Sequence, residues 1–174
     1  MNPGGWAGPN ELSEGDSNVY DEENGVNVVH LARLTSQATC LGATSPAAGV
    51  VKLALTRQGP VHCVTMPDEM AMQAALQFAG KYFEWHKNLT FSQYPAEEEK
   101  TLVELACSVT LALAKADLFN FVAPDAKVVV LVVCGGFKTS LAEMGGYLDT
   151  LGRDNQEGDT WTVSVNGQDL QVFK

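Results

Sequence analysis

Cys134 stands at the end of the longest apolar run of the chain, residues 128–133, and Gly135 and Gly136 follow it at once. A thiol in that place sits at the carboxyl end of a candidate strand, where open α/β sheets hold their ligands. The glycine pair lets the backbone turn tightly beside whatever is held there. A core cysteine ahead of a turn is the plainer reading of the same residues. Glu104 is the second candidate. It lies between a short β-like segment and an apolar helix, a poor place for a solvated carboxylate, although a structural acid at a helix start would look the same.

Other candidate chemistry is thin. Cys40, Cys63 and Cys107 form no C-x-x-C pair with each other or with Cys134, and no histidine lies at a metal-ligand offset from them. Each cysteine lies in an apolar stretch, which reads as a buried free thiol in a reducing compartment. His30, His62 and His86 are scattered, with neither a serine elbow nor an H-E-x-x-H pattern. Glu97, Glu98 and Glu99 read as a solvated face. Met66, Met70 and Met72 read as core packing. Lys138 reads as a surface residue at a helix start.

The elements that would position Cys134 and Glu104 follow from periodicity. Residues 1–25 are rich in Gly, Asn, Asp, Glu and Ser and read as a loose leader. Leu31, Leu34, Ala38 and Leu41 recur at helical spacing up to Gly42. Ser45-Pro46 starts a helix that ends before Gly59-Pro60. Residues 61–66 read as a short strand, and Pro67-Asp68-Glu69 opens a helix with acids in its first turn. Residues 80–96 have aromatics but no clean period. Residues 101–104 read as a short strand, 106–119 as an apolar helix, and 127–133 as a strand apolar after its first residue. Such a strand is buried on both faces, the mark of a parallel sheet covered by helices. Residues 141–151 read as a helix. Two alternating runs flank Asn166-Gly167, a strong signal for a two-residue hairpin. The pattern predicts an α/β layer architecture.

Composition narrows the partners. The chain has 174 residues, enough for one core, with 45% hydrophobic and 18% charged residues. Its net charge of -10 opposes binding to nucleic acid or to an anionic membrane surface. No apolar run approaches the length of a bilayer span, and residues 1–6 have neither the basic start nor the apolar run of a signal peptide. The expected location is cytoplasmic.

Three stretches taken in order resemble one family. Residues 34–43, L-T-S-Q-A-T-C-L-G-A, look like an I-T-S-x-A-x-x-L-G segment. Residues 102–108, L-V-E-L-A-C-S, are similar to an L-V-E-P-A-C-G turn. Residues 130–136, V-L-V-V-C-G-G, are similar to a V-V-x-V-C-G-G strand and turn. The resemblance is to the L-serine/L-threonine dehydratases, pyridoxal-phosphate enzymes of fold-type II, and spans residues 28–152. It implies a partial parallel-sheet layer with flanking helices, followed by a C-terminal hairpin. With composition and the Asn166-Gly167 signal it divides the chain into a disordered or loosely packed leader at 1–27, a partial cofactor-binding α/β domain at 28–152 and a C-terminal extension with the hairpin at 153–174.

The resemblance also assigns sites. Cys134 would meet the pyridine nitrogen of pyridoxal phosphate, Gly135 and Gly136 would turn beside the ring, and Glu104 would lie on the cofactor-facing turn. A thiol at the ring nitrogen suits an unprotonated pyridine and so tunes the electron sink. Leu41 and Ala43 align with positions whose carbonyls bind a monovalent cation, usually potassium. Leu105 and Ser108 depart from the proline and glycine of the family turn.

The reaction implied is α,β-elimination from serine or threonine to a 2-oxo acid and ammonia. It needs a lysine for the internal aldimine and a glycine-rich phosphate loop, both placed by the family upstream of the matched segments. Residues 1–27 contain no lysine. The expectation is that these 174 residues are inactive alone. The alternative is a non-catalytic dehydratase-like fragment that pairs with a full-length dehydratase or with itself, covering an exposed sheet edge. A binding module built on the hairpin is a third class.

Overall fold

The computed structural model describes residue 12 and residues 14–79, 102–114, 116–134, 139–154 and 158–174. Expectations for residues 80–100, for Gly135, Gly136 and Lys138, and for the first eleven residues lie outside the described residues. The chain divides into two compact units, Met1–Thr65 with Val163–Leu170, and Met66–Thr162 with Gln171–Lys174.

In the first unit, β1 (Ser17–Asp21) and β2 (Val26–His30) form an antiparallel hairpin with Ser17 opposite His30 and Asp21 opposite Val26. Part of the stretch read as a loose leader is therefore a strand. Its turn is fixed by Asp21, whose carboxylate accepts from the Asn24 backbone N–H at 2.8 Å and from the Asn24 amide at 2.9 Å. Val26 and Val28 alternate inward and pack with Val51 and Ala48. Val51 lies on α1 (Ala48–Thr56), the helix expected after Ser45-Pro46.

The helix expected from Leu31 to Leu41 is not formed. That stretch has no regular secondary structure apart from one 3-10 turn, Thr39–Leu41. The Leu31 N–H donates to the Thr44 carbonyl at 2.7 Å, and Leu31, Leu34 and Leu41 are exposed. Val26, Val28 and Val29 pair with β1 just ahead of this stretch, and of its four periodic residues Ala38 alone is buried, too little apolar cover to hold a helix. Gly42 is dictated by close approach: a Cβ there would stand 2.5 Å from the Thr39 carbonyl oxygen.

β3 (Val64–Thr65) is shorter than expected and pairs antiparallel with β4 (Thr160–Val165), Val64 opposite Val165. β4 continues into β5 (Gln168–Phe173) through Asn166-Gly167, as the sequence predicted. Asn166 and Gly167 have φ of 50° and 81°, the two positive values of a type I′ turn. Trp161, Val163 and Val165 are buried on alternate positions. Asn166 also clamps β3: its N–H donates to the Cys63 carbonyl and its side-chain oxygen accepts from the Cys63 N–H.

The second unit is helical apart from its share of that hairpin. α2 (Asp68–Phe78) follows Pro67 as expected and buries every residue from Met70 to Leu76. It packs against α3 (Leu105–Ala112) and α5 (Leu141–Asp154). Met70 and Met72 are core residues, as read from the sequence. The single helix expected over 106–119 is two, α3 and α4 (Ala116–Val122). The strand expected over 101–104 is not formed at Leu102, Val103 or Glu104, although Val103 is fully buried. α5 starts at Ser140, whose hydroxyl accepts from the Glu143 N–H at 3.1 Å, an N-cap.

The parallel sheet is corrected. The described residues form two antiparallel sheets, of two and three strands. The stretch 127–133 has no regular secondary structure, and Val128, Val130 and Val132 are 81%, 81% and 68% exposed. A parallel strand takes its backbone partners and its cover from neighbouring strands and helices. Neither described sheet includes this stretch, so its apolar run has no such neighbours there.

Candidate functional site

Cys134 lies at the end of that exposed stretch and is itself exposed. Its position is fixed from the other side by a residue the sequence reading left among the inert thiols. The Cys134 N–H donates to the Cys107 sulfur at 2.8 Å, and the two sulfurs are 3.9 Å apart. Cys107 is buried on the first turn of α3, where its N–H donates to the Glu104 carbonyl at 2.9 Å. α3 thus presents one cysteine to the loop that carries the other. The expectation of buried thiols is met at Cys107 and overturned at the exposed Cys40 and Cys134.

The surroundings of Cys107 shift its titration. Burial pushes Cys107 above the ordinary thiol range, the Cys134 N–H opposes that by favouring a thiolate, and the Cys134 sulfur and the Glu104 charge push it up again. Glu104 is the residue before the first turn of α3. Its charge also reaches Tyr147 on α5. Burial raises the Tyr147 phenol most, the hydrogen bond it donates to Glu143 at 2.9 Å comes next, and the charges of Glu143 and Glu104 add to both. Tyr147 is therefore a neutral hydrogen-bond donor at physiological pH. Cys107 thus stands between Cys134 and Glu104, the two side chains singled out from the sequence, and the Glu104 charge reaches on to Tyr147.

Ser108 explains one departure from the family turn. Fully buried, its hydroxyl lies 2.7 Å from the Leu105 carbonyl and 2.8 Å from the Ala71 carbonyl, so it ties α3 to α2 where a glycine could not. Beyond the turn, the Thr139 hydroxyl is buried with no partner among the described residues. Leu41 and Ala43 lie in the other unit. Both are exposed, and the Leu41 carbonyl accepts the Ala43 N–H at 2.8 Å. No group of three or more His, Cys, Asp or Glu side chains among the described residues could hold a metal ion. Among them no helix is long and apolar enough to cross a membrane.

Comparison with known proteins finds a partial similarity. L-serine dehydratase/L-threonine deaminase of Bos taurus is 29% identical over 133 residues, 73% of this chain and 35% of that protein. This chain is in part serine-dehydratase-like. The Homo sapiens protein of the same name is 27% identical over 135 residues, 74% of this chain and 35% of its own. The match spans about a third of the length of these curated relatives. No family model matches this chain, and no solved structure matches it.

Proposed function

We propose that residues 28–152 are the ring-facing portion of a pyridoxal-phosphate-dependent serine or threonine dehydratase of fold-type II. The observation that carries the reading is Cys134, an exposed thiol whose backbone is anchored to the buried Cys107 at 2.8 Å, in a chain similar to serine dehydratases. The described residues fit such a cofactor at two points. The Cys134 thiol is open to a ring nitrogen, and the Thr139 hydroxyl is a buried polar group in need of a partner.

When bound, the cofactor supplies the electron sink for α,β-elimination of a small hydroxy-amino acid. The residues of this chain would hold and orient it. Cys134 would meet the pyridine nitrogen, Gly135 and Gly136 would follow it beside the ring as the resemblance implies, and Cys107 would hold the Cys134 backbone. Glu104 would lie on the turn that faces the cofactor, as the resemblance implies. Leu41 and Ala43 would offer carbonyls to a potassium ion. The lysine and the phosphate loop of the reaction are not placed in these residues by the resemblance, so the 174 residues alone bind the cofactor without turning serine over. The setting proposed is the cytoplasm, in keeping with reduced thiols.

Equilibrium dialysis of pyridoxal phosphate against the purified chain tests the reading. Saturable binding is expected, weakened about tenfold in Cys134→Ala, roughly the loss of one hydrogen bond in a desolvated site. Binding that is absent, or unchanged in the variant, overturns the ring contact. Release of a 2-oxo acid from serine by the chain alone overturns its inactivity.

A second reading has its own observation. Val128, Val130 and Val132 are exposed together, as are Val50 and Leu53 on α1. Such surfaces mark sites of association. In this reading the chain acts by pairing, through residues 127–133, with a full-length dehydratase or with a second copy of itself.

A further inference from the structure

We infer that Cys107 and Cys134 are a dithiol that closes to a disulfide on exposure to hydrogen peroxide, a modification site at the loop that carries Cys134. The sulfurs stand 3.9 Å apart, and a disulfide needs about 2.05 Å. The difference, about 2 Å, falls on the side able to give. Cys134 ends an exposed stretch without regular structure, whereas Cys107 is buried in a helix turn. The N–H of Cys134 already points at the Cys107 sulfur, so the loop is held over its partner.

The two environments assign the order of events. Cys134 is reached by solvent and Cys107 is not, so peroxide meets Cys134 first. The Cys134 sulfur, as thiolate, attacks one peroxide oxygen. The O–O bond breaks, the departing hydroxide takes up a proton as water, and Cys134 becomes a sulfenic acid. The Cys107 sulfur then attacks the Cys134 sulfur. The S–O bond breaks, a second water leaves with the Cys107 proton, and the S–S bond forms. The two thiols lose two electrons and peroxide gains them. Burial holds Cys107 as the thiol, the Cys134 N–H offsets part of that, and Cys107 loses its proton as it attacks the sulfenic sulfur beside it. The consequence for the cofactor rests on the dehydratase reading: the disulfide withdraws the Cys134 thiol from the ring nitrogen, and reduction restores it.

The test is peptide mapping of the intact chain after brief treatment with hydrogen peroxide, with and without a reductant. The expected product is a cross-linked peptide pair joining Cys107 and Cys134, lost on reduction, while Cys40 and Cys63 remain separate. In Cys107→Ser the Cys134 sulfenic acid persists and is trapped by dimedone. The inference is overturned if wild-type Cys134 is recovered as a dimedone adduct with no link to Cys107. It is also overturned if Cys134 pairs with Cys40 or Cys63. Wild-type mapping decides the matter even where the variant fails to fold. Pyridoxal phosphate binding to the reduced and oxidised chain separates the two readings. A cross-link that leaves binding unchanged keeps the disulfide and removes its consequence for the cofactor.

Discussion

At the scale of single residues, the second unit is held by polar groups that have almost no exposure. Ser108 is the clearest. Its hydroxyl reaches the Ala71 carbonyl on the neighbouring helix as well as Leu105 on its own. Ser108→Ala removes that tie and leaves a buried carbonyl with one partner fewer, at a cost of about 1–2 kcal/mol. The shift of the urea midpoint at constant slope measures it. Lys174 and Asp154 predict an asymmetry. The Lys174 ammonium is 5% exposed and rests 2.8 Å from the Asp154 carboxylate, and Asp154 also accepts from the Trp161 indole N–H at 2.9 Å. Asp154→Ala removes the counter-ion of a buried ammonium that keeps the residue-154 carbonyl at 2.7 Å, and is expected to cost about 3 kcal/mol, whereas Lys174→Met leaves a carboxylate that keeps the indole and costs less. Equal losses in thermal unfolding would show that the ammonium is not held by this carboxylate.

At the scale of elements, what could be read from the sequence was what local chemistry decides. Pro67-Asp68-Glu69 starts α2 because proline and early acids favour a helix N-terminus, and Asn166-Gly167 makes the hairpin because both turn positions need positive φ. The stretches misread were those whose fate depends on a distant partner. Leu31 to Leu41 has the spacing of a helix, yet it follows a strand whose pairing with β1 no local period reveals. Residues 127–133 have the composition of a buried strand without the sheet. The site shows the same limit. Cys134 and Glu104 could be named from position and motif, but the contact of Cys134 with Cys107 spans 27 residues and has no spacing signature. The available signal was that Cys107 shares the L-V-E-L-A-C-S segment with Glu104. The β1–β2 hairpin yields a prediction at this scale. The Asn24 N–H groups, the backbone one first, hold the Asp21 carboxyl below its ordinary 3.8, aided slightly by the Lys52 charge. A depressed folded pKa adds stability that is complete above the unfolded value and is lost as pH falls through the folded one. The hairpin amides should therefore keep constant hydrogen-exchange protection from neutral pH down to about 4 and lose it below, once intrinsic exchange rates are corrected for. In Asp21→Asn that acid step should vanish.

At the scale of the whole molecule, the exposed valines bear on how the chain exists in solution. Val128 and Val130 are each 81% exposed on a stretch whose sequence is that of a sheet interior. Leaving such a run in water is unfavourable, and covering it with another chain recovers apolar burial together with backbone partners for an unpaired segment. If that cover is a second copy, sedimentation velocity should show oligomers that grow with concentration. Replacing both residues, Val128→Lys with Val130→Lys, should return the chain to monomer by charge repulsion and loss of apolar area. Because the side chains make little contact within the chain, the melting point should barely move, within about 0.5 kcal/mol of stability for each change. The conserved melting point separates loss of association from loss of folding. A wild-type chain that stays monomeric, with and without added dehydratase, would remove the pairing reading and leave the cofactor-facing role to be decided at Cys134.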